Sequence, residues 1–174
     1  GKQYAAPQGR ILMNPFADVK ASSWFGKYVI DLYNDGIING TSATTYAPND
    51  TLTWAAALKL LLVSHGDLKA ADATGADWSK NAIAKAAELG LVAADLDGAK
   101  AISRLEFCQV AAKLNKLAES KTESKFTDCT DGYVMALVDA KVISGMTETT
   151  FEPAASLTRA QIAKILYQLT LIEK

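Results

Sequence analysis

An internal repeat constrains this chain more than any other feature. Leu52-Thr53-Trp54-Ala55-Ala56, Ile102-Ser103-Arg104-Leu105-Glu106 and Leu157-Thr158-Arg159-Ala160-Gln161 each set an aliphatic residue, a hydroxyl residue and a large side chain ahead of an apolar periodic run. The three large residues, at 54, 104 and 159, lie 50 and then 55 positions apart. A second landmark precedes each motif: Asp35-Gly36-Ile37-Ile38-Asn39-Gly40, Leu89-Gly90-Leu91-Val92 and Ala140-Lys141-Val142-Ile143-Ser144-Gly145. Trp24 and Trp78 stand 12 positions ahead of Gly36 and Gly90, and Cys129 holds the matching place before Lys141. Landmarks that recur in one order at this period mean small supersecondary units, each unable to bury its own apolar face, that pack together. The boundaries fall at 10–66, 67–119 and 120–174, three units of one folded body.

The copies are unequal. Phe16-Ala17-Asp18 and Phe126-Thr127-Asp128 open the first and third, and Tyr46-Ala47-Pro48 and Phe151-Glu152-Pro153 come shortly before their hydroxyl motifs. The second copy lacks both elements and is degenerate.

Each unit reads as helix, loop, helix. First helices are expected over about 23–35, 77–89 and 131–140; in the first, Tyr28, Val29, Leu32 and Tyr33 share a face. Gly36 and Gly90 suit left-handed C-terminal caps, and Lys141 in their place predicts a strained or differently built cap. Thr53, Ser103 and Thr158 are N-caps of the second helices, with Glu106 and Gln161 placed for reciprocal capping boxes. Behind them run Leu58, Leu61 and Leu62; Phe107, Val110, Ala111 and Leu114; and Ile162, Ile165, Leu166 and Leu169. The aromatic-x-Pro segments read as extended pieces or turns, and 66–76 and 119–125 as linkers. The expected class is all-α, three helix–loop–helix repeats packed as a pseudo-threefold trimer around a central helical bundle.

Composition excludes several functions. A net charge of −1 favours neither nucleic acid nor an acidic membrane surface, and no run approaches the roughly 20 apolar residues that span a bilayer. Gly1-Lys2-Gln3 opens no signal peptide. A chain that begins on Gly rather than Met reads as cut from a longer one, so a missing signal says little about where it works. Cys108, Cys129 and His65 are too few for a structural zinc site, and no other cofactor is indicated. Cys108 reads as a small core residue; a Cys108–Cys129 bridge stays open for an exported chain. His65 is expected solvated at a helix end with no nucleophile beside it. With no phosphate loop and no paired carboxylates, the segment is not expected to be an enzyme.

Arg104 and Arg159 need explaining. Each follows an N-cap, where the helix dipole disfavours a cation by about 0.3–1 kcal/mol. One such Arg could turn outward or meet a carboxylate. Two at equivalent positions point instead to an anion held by the guanidinium and the free N–H groups of the helix start.

With these motifs on the page, the chain resembles the S-layer homology family over about residues 16–172. The resemblance rests on Phe16-Ala17-Asp18-Val19, Trp24, the 36–40 segment, Tyr46-Ala47-Pro48, the hydroxyl motifs and their counterparts. It implies a pseudo-trimer whose inter-repeat grooves bind secondary cell-wall polysaccharide, often ending in pyruvylated N-acetylmannosamine. By position it makes Arg104 and Arg159 carboxylate contacts and Trp24 and Trp78 stacking or groove-wall residues, with partial core burial the competing reading for both Trp. Asp18 and Asp128 become acceptors for sugar hydroxyls, and Gly40 and Gly145 places of close backbone approach. It further implies an extracellular module at the bacterial cell wall, attached to a larger exported protein or surface layer. Trp54 and Ala56 replace the family's Arg and Glu, Gln161 replaces Glu and Cys129 replaces Trp, so one or two working grooves are expected. The alternative is a structural or protein-interaction module that keeps the fold and has lost the glycan.

Overall fold

The computed structural model describes residues 1–5 and 9–172. A hairpin of β1 (Lys2–Ala5) and β2 (Ile11–Asn14) precedes α1 (Gly26–Asn34), α2 (Trp54–His65), α3 (Trp78–Glu88), α4 (Arg104–Leu114), α5 (Gly132–Asp139) and α6 (Arg159–Thr170). The chain is mainly helical, as its periodicity predicts. The hairpin is an addition that helical periodicity does not announce. Leu12 and Asn14 face inward from β2. The Asn34 amide at the end of α1 accepts from Met13 N–H (3.0 Å) and donates to Met13 C=O (2.8 Å), so a side chain completes that strand edge.

Second helices start where the hydroxyl caps put them. Thr53, Ser103 and Thr158 accept from the N–H groups of Ala56, Glu106 and Gln161, and the last two pairs close capping boxes. Such caps contribute about 1 kcal/mol each. First helices are shorter than expected, and Trp24 lies in the turn before α1. Gly36 (φ 75°), Gly90 (φ 72°) and Lys141 (φ 60°) all take the left-handed conformation. Lys141 is therefore built like the glycines, not differently. After each, an N–H reaches back to the helix at 2.9 Å: Ile37 to Leu32 C=O, Leu91 to Ala86 C=O and Val142 to Leu137 C=O.

Units interlock instead of folding on themselves. The first helix of each packs chiefly on the second helix of the unit before it: α3 on α2, α5 on α4 and, closing the ring, α1 on α6. Every residue of the three apolar stripes on the second helices is buried. At the junction Leu52, Ile102 and Leu157 are buried, with Leu52 N–H on Leu157 C=O and Ile102 N–H on Leu52 C=O. Short bridges pair Thr51 with Thr158, Thr53 with Ala101 and Ser103 with Ser156. The segment expected as the first linker buries Leu68 and Ala73 and is a packed turn. Cys108 and Cys129 are buried free thiols, and burial pushes the Cys108 pKa up to about 12.

Candidate functional site

Two motifs that look separate in sequence form one device. Asp18 Oδ1 and Oδ2 accept from the N–H groups of Tyr46 and Ala47 (2.9 and 2.8 Å), and Asp128 does the same for Phe151 and Glu152 (2.8 and 2.9 Å). These bonds hold the Asp128 carboxyl below its ordinary pKa. Ala47 and Glu152 are left-handed (φ 58° each), not extended as their place before Pro suggests. Two successive N–H groups then converge on one carboxylate, and the bonds offset backbone strain of about 1–2 kcal/mol. The aspartates expected to take sugar hydroxyls thus have both oxygens engaged with their own loops.

Each such loop is gripped by an arginine from the neighbouring unit. Arg104 Nε donates to Phe151 C=O (2.9 Å) and Nη2 to Ser144 C=O (3.2 Å), while the guanidinium lies 4.5 Å from the Phe151 ring centroid. Arg159 repeats this on the first unit, with Nε to Tyr46 C=O (2.7 Å), Nη2 to Asn39 C=O (2.8 Å) and the Tyr46 ring at 4.5 Å. Arg104 is 3% exposed, and burial lowers its pKa. Nor are the helix-start N–H groups free. Backbone N–H of Arg104 and Leu105 donate to Ala155 and Pro153 C=O, and those of Arg159 and Ala160 to Asp50 and Pro48 C=O. The N-cap hydroxyl takes the next N–H. An anion cradled by open backbone N–H groups at these helix starts, as expected from sequence, has no backbone donors left to meet it.

Gly40 and Gly145 also answer to local packing. A Cβ at Gly40 would strike the Ser42 and Thr45 carbonyl oxygens and the Phe16 ring edge, and one at Gly145 those of Thr147, Thr150 and Phe126.

One cleft nevertheless gathers site residues from all three units. Trp24, Arg104 and Gly145 line a hollow of about 130 Å³ with Ser144, Met146, Gln161 and Lys164. Trp24 is 58% exposed and Met146 is also open, so an apolar rim stands beside an exposed ammonium. Two wider hollows of about 440 Å³ flank the hairpin, and one of about 120 Å³ lies where the central helices end at Leu61, Leu114 and Leu169. None of these holds a Trp or a repeat-equivalent Arg. Lys164 is the residue the sequence reading missed. Its signal was available: Lys59 and Lys164 each fall five positions after the large residue of their hydroxyl motif.

Repeat equivalence points to a second set of the same residue types. Trp78, Arg159, Gly40 and Lys59 replace Trp24, Arg104, Gly145 and Lys164. Lys59 Nζ lies 5.1 Å from the Trp78 ring centroid, and burial followed by the nearby Arg159 charge lowers the Lys59 pKa. The third equivalent place has Cys129, Trp54, Ala94 and Gln109, and Gln109 Nε2 donates to Asp131 Oδ2 (2.9 Å). It carries neither repeat cation. His65, at the end of α2, meets the Asp67 carboxylate through Nδ1 and is partly buried, not simply solvated. Among the described residues no cluster of His, Cys, Asp and Glu is arranged to hold a metal ion, and no helix is long and apolar enough to cross a membrane.

Residues 15–58 and 127–163 match the S-layer homology domain. An endoglucanase of Bacillus sp. (strain KSM-635) is 30% identical over 179 residues, covering 89% of this chain and 18% of that protein. The surface-layer 125 kDa protein of Lysinibacillus sphaericus is 38% identical over 84 residues, 44% of this chain and 7% of its own length. An amylopullulanase of Thermoanaerobacterium thermosulfurigenes is 26% identical over 174 residues, 88% of this chain and 9% of that protein. The chain spans less than a fifth of the length of these relatives. Residues 15–58 and 127–163 belong to the S-layer homology family, which supports a cell-surface anchoring module.

Proposed function

We propose that this segment, itself non-catalytic, fastens a larger exported protein or surface layer to the bacterial cell wall by holding an anionic, pyruvylated wall polysaccharide in the Trp24 and Trp78 grooves. Residues 67–119 count in this reading as a third, eroded repeat, with the boundaries 10–66 and 120–174 on either side. The observation that carries the proposal is the convergence of Trp24, Arg104, Gly145 and Lys164, from three units, on one open cleft. An exposed indole beside a cation is the chemistry of sugar stacking with carboxylate recognition. Arg104 and Arg159 act as fixed walls that hold the facing loops, while Lys59 and Lys164 supply the cations a ligand carboxylate meets. The names of the relatives, a surface-layer protein and two polysaccharide-degrading enzymes, agree with an attachment role for a shared segment.

Co-sedimentation with purified walls tests this. The chain should pellet with native walls and stay in solution once the non-peptidoglycan polysaccharide is stripped. Equal binding to both, or to neither, overturns it. The rival is a structural module without glycan, favoured by the saturation of Arg104, Arg159, Asp18 and Asp128 with internal hydrogen bonds. It predicts no wall binding at all.

A further inference from the structure

Six asparagines lie along this chain, and at five of them the amide chemistry is tied down. The side-chain NH2 groups of Asn14, Asn34, Asn81 and Asn115 donate to backbone carbonyls at 2.7 to 3.0 Å. Behind Asn49, the Asp50 N–H is held by Ala47 C=O at 3.1 Å. Asn39 differs on both counts. It is exposed, and neither its side-chain amide nor the Gly40 N–H has a hydrogen-bond partner among the described residues. The residue that follows it is glycine, whose missing side chain leaves the amide nitrogen open to close approach. The Asn39 carbonyl, in turn, accepts from Arg159 Nη2 at 2.8 Å. At the equivalent place in the third unit Ser144 precedes Gly145, and Ser144 C=O accepts from Arg104 Nη2.

We propose that Asn39–Gly40 is a self-modification site, where the chain deamidates to aspartate and isoaspartate and so delivers a carboxylate to Arg159. The Gly40 amide nitrogen gives up its proton to water or hydroxide and attacks Asn39 Cγ. The N–Cγ bond forms, the Cγ–Nδ2 bond breaks, and the side-chain nitrogen leaves as ammonia with a proton taken from water. One water then opens the cyclic imide. Opening at Cγ yields aspartate. Opening at the backbone carbonyl carbon yields isoaspartate, in which the main chain runs through Cβ and Cγ. There the oxygen that Arg159 already holds belongs to a free carboxylate, so a neutral acceptor becomes a charged one and the bond strengthens. The main chain also lengthens beside Gly40, where an added Cβ would already strike the Ser42 and Thr45 carbonyl oxygens and the Phe16 ring edge. The modified loop must therefore shift. Serine cannot form the imide, so of the two arginine-held joints only the one at Arg159 carries this chemistry. The proposal stands apart from the wall-glycan reading.

Ageing the whole chain in mildly alkaline and mildly acidic buffer, with peptide mass mapping at intervals, tests the site. Trypsin leaves residues 28–59 as one peptide, so its fragment ions assign any deamidation to Asn34, Asn39 or Asn49. Asn39 should convert at least about tenfold faster than the other asparagines, because it alone combines a free amide with a following glycine. Conversion should quicken in alkali, and isoaspartyl methyltransferase should label the product. Asn39→Ser copies the third unit; it should abolish the labelling in a chain that still folds. In the isoaspartate form, separated by ion exchange, the Arg159 side-chain N–H signals should shift in NMR spectra and those of Arg104 should stay in place. Equal rates at all asparagines, an Asn39 that stays intact in alkali, or undiminished labelling of Asn39→Ser overturns the site. Conversion that leaves the Arg159 signals unmoved overturns the delivery of the carboxylate. Neither failure touches co-sedimentation with walls, so the wall reading stands or falls separately.

Discussion

The joint between the second and third units and the joint between the first and second occupy equivalent places and are built by different means. In one, Arg104 reaches across to the Phe151 and Ser144 carbonyls of a loop that Asp128 holds in shape. In the other, Trp54, 9% exposed, faces a shortened loop that has no aromatic-x-Pro and no opening Asp. There the backbone contacts persist, Trp54 N–H on Lys100 C=O and Ala55 N–H on Gly98 C=O, but side-chain packing replaces the grip. Read along the sequence, the first unit has lost its Arg and the second has lost its Phe-x-Asp and aromatic-x-Pro. In space these are the two halves of one joint. The differences are concentrated there, and the other two joints each keep the Arg, the Asp and the aromatic-x-Pro loop.

The largest expected effect comes from cutting an intact grip. Arg104→Ala removes two charge-assisted bonds and leaves a cavity and two carbonyls to be resolvated, a loss of about 3–5 kcal/mol. Arg159→Ala, at a half-buried position that water can reach, should lose about 2–3 kcal/mol by the same reasoning. Urea midpoints at constant slope read both. Equal and small losses would mean that the arginines are not what holds these joints.

A substitution that restores the motif should fail. Trp54→Arg recreates the family pattern in the first unit, yet the second unit offers no Phe-x-Pro loop to receive a guanidinium. A buried, unsatisfied charge and lost indole packing should destabilise the chain by about 3 kcal/mol. If Trp54→Arg matched wild type in urea denaturation, the losses in the two units would be independent.

The loop device predicts a pH signature of smaller size. The native Asp128 carboxyl sits below its ordinary value because it accepts the Phe151 and Glu152 N–H groups. A depressed native pKa contributes stability that is complete above the unfolded pKa, about 3.9, and is lost as pH falls through the native value. Asp128→Asn should therefore be less stable than wild type at pH 7, and the gap should close as pH drops below about 4. Chemical denaturation across that range reads it. A constant gap would mean that the ionised form is not what the loop requires.

The fold was legible because its determinants are local and repeated: three hydroxyl caps, three apolar stripes and two glycine caps fixed the helices and their number. The site was legible only in part. Trp24, Arg104 and Gly145 do converge, but the roles read from position could not include partners contributed by another unit. Arg104 reads from sequence as an anion contact at a helix start because the Phe151 carbonyl, 47 residues away, has no signature in its own neighbourhood. Asp18 and Asp128, expected as acceptors for sugar hydroxyls, escape for the same reason: the N–H groups they hold lie 23 to 29 residues away. Lys59 and Lys164 escape because lysine on a helix is ordinary, and only the packing of α3 on α2 and α1 on α6 brings Lys59 over Trp78 and Lys164 to the Trp24 cleft.

The smallest effect tests how far equivalence between units extends. Lys141 adopts φ 60° where the first two units use glycine, and it is exposed. Its left-handed backbone costs about 1–2 kcal/mol that Gly36 and Gly90 avoid. Lys141→Gly should recover that strain, less the extra freedom glycine has in the unfolded chain, a net gain of about 0.5–1 kcal/mol. In a chain of this size that raises the thermal midpoint by roughly 1–4 °C. The reverse change at the first unit, Gly36→Ala, meets no side chain or backbone within 4 Å, so any loss there is backbone strain alone, about 1 kcal/mol. Opposite signs of similar size would show that the three caps share one geometry and that the third unit accepts its strain without compensation. A neutral Lys141→Gly beside a costly Gly36→Ala would instead mean that the Lys141 side chain contributes a contact worth as much as the strain.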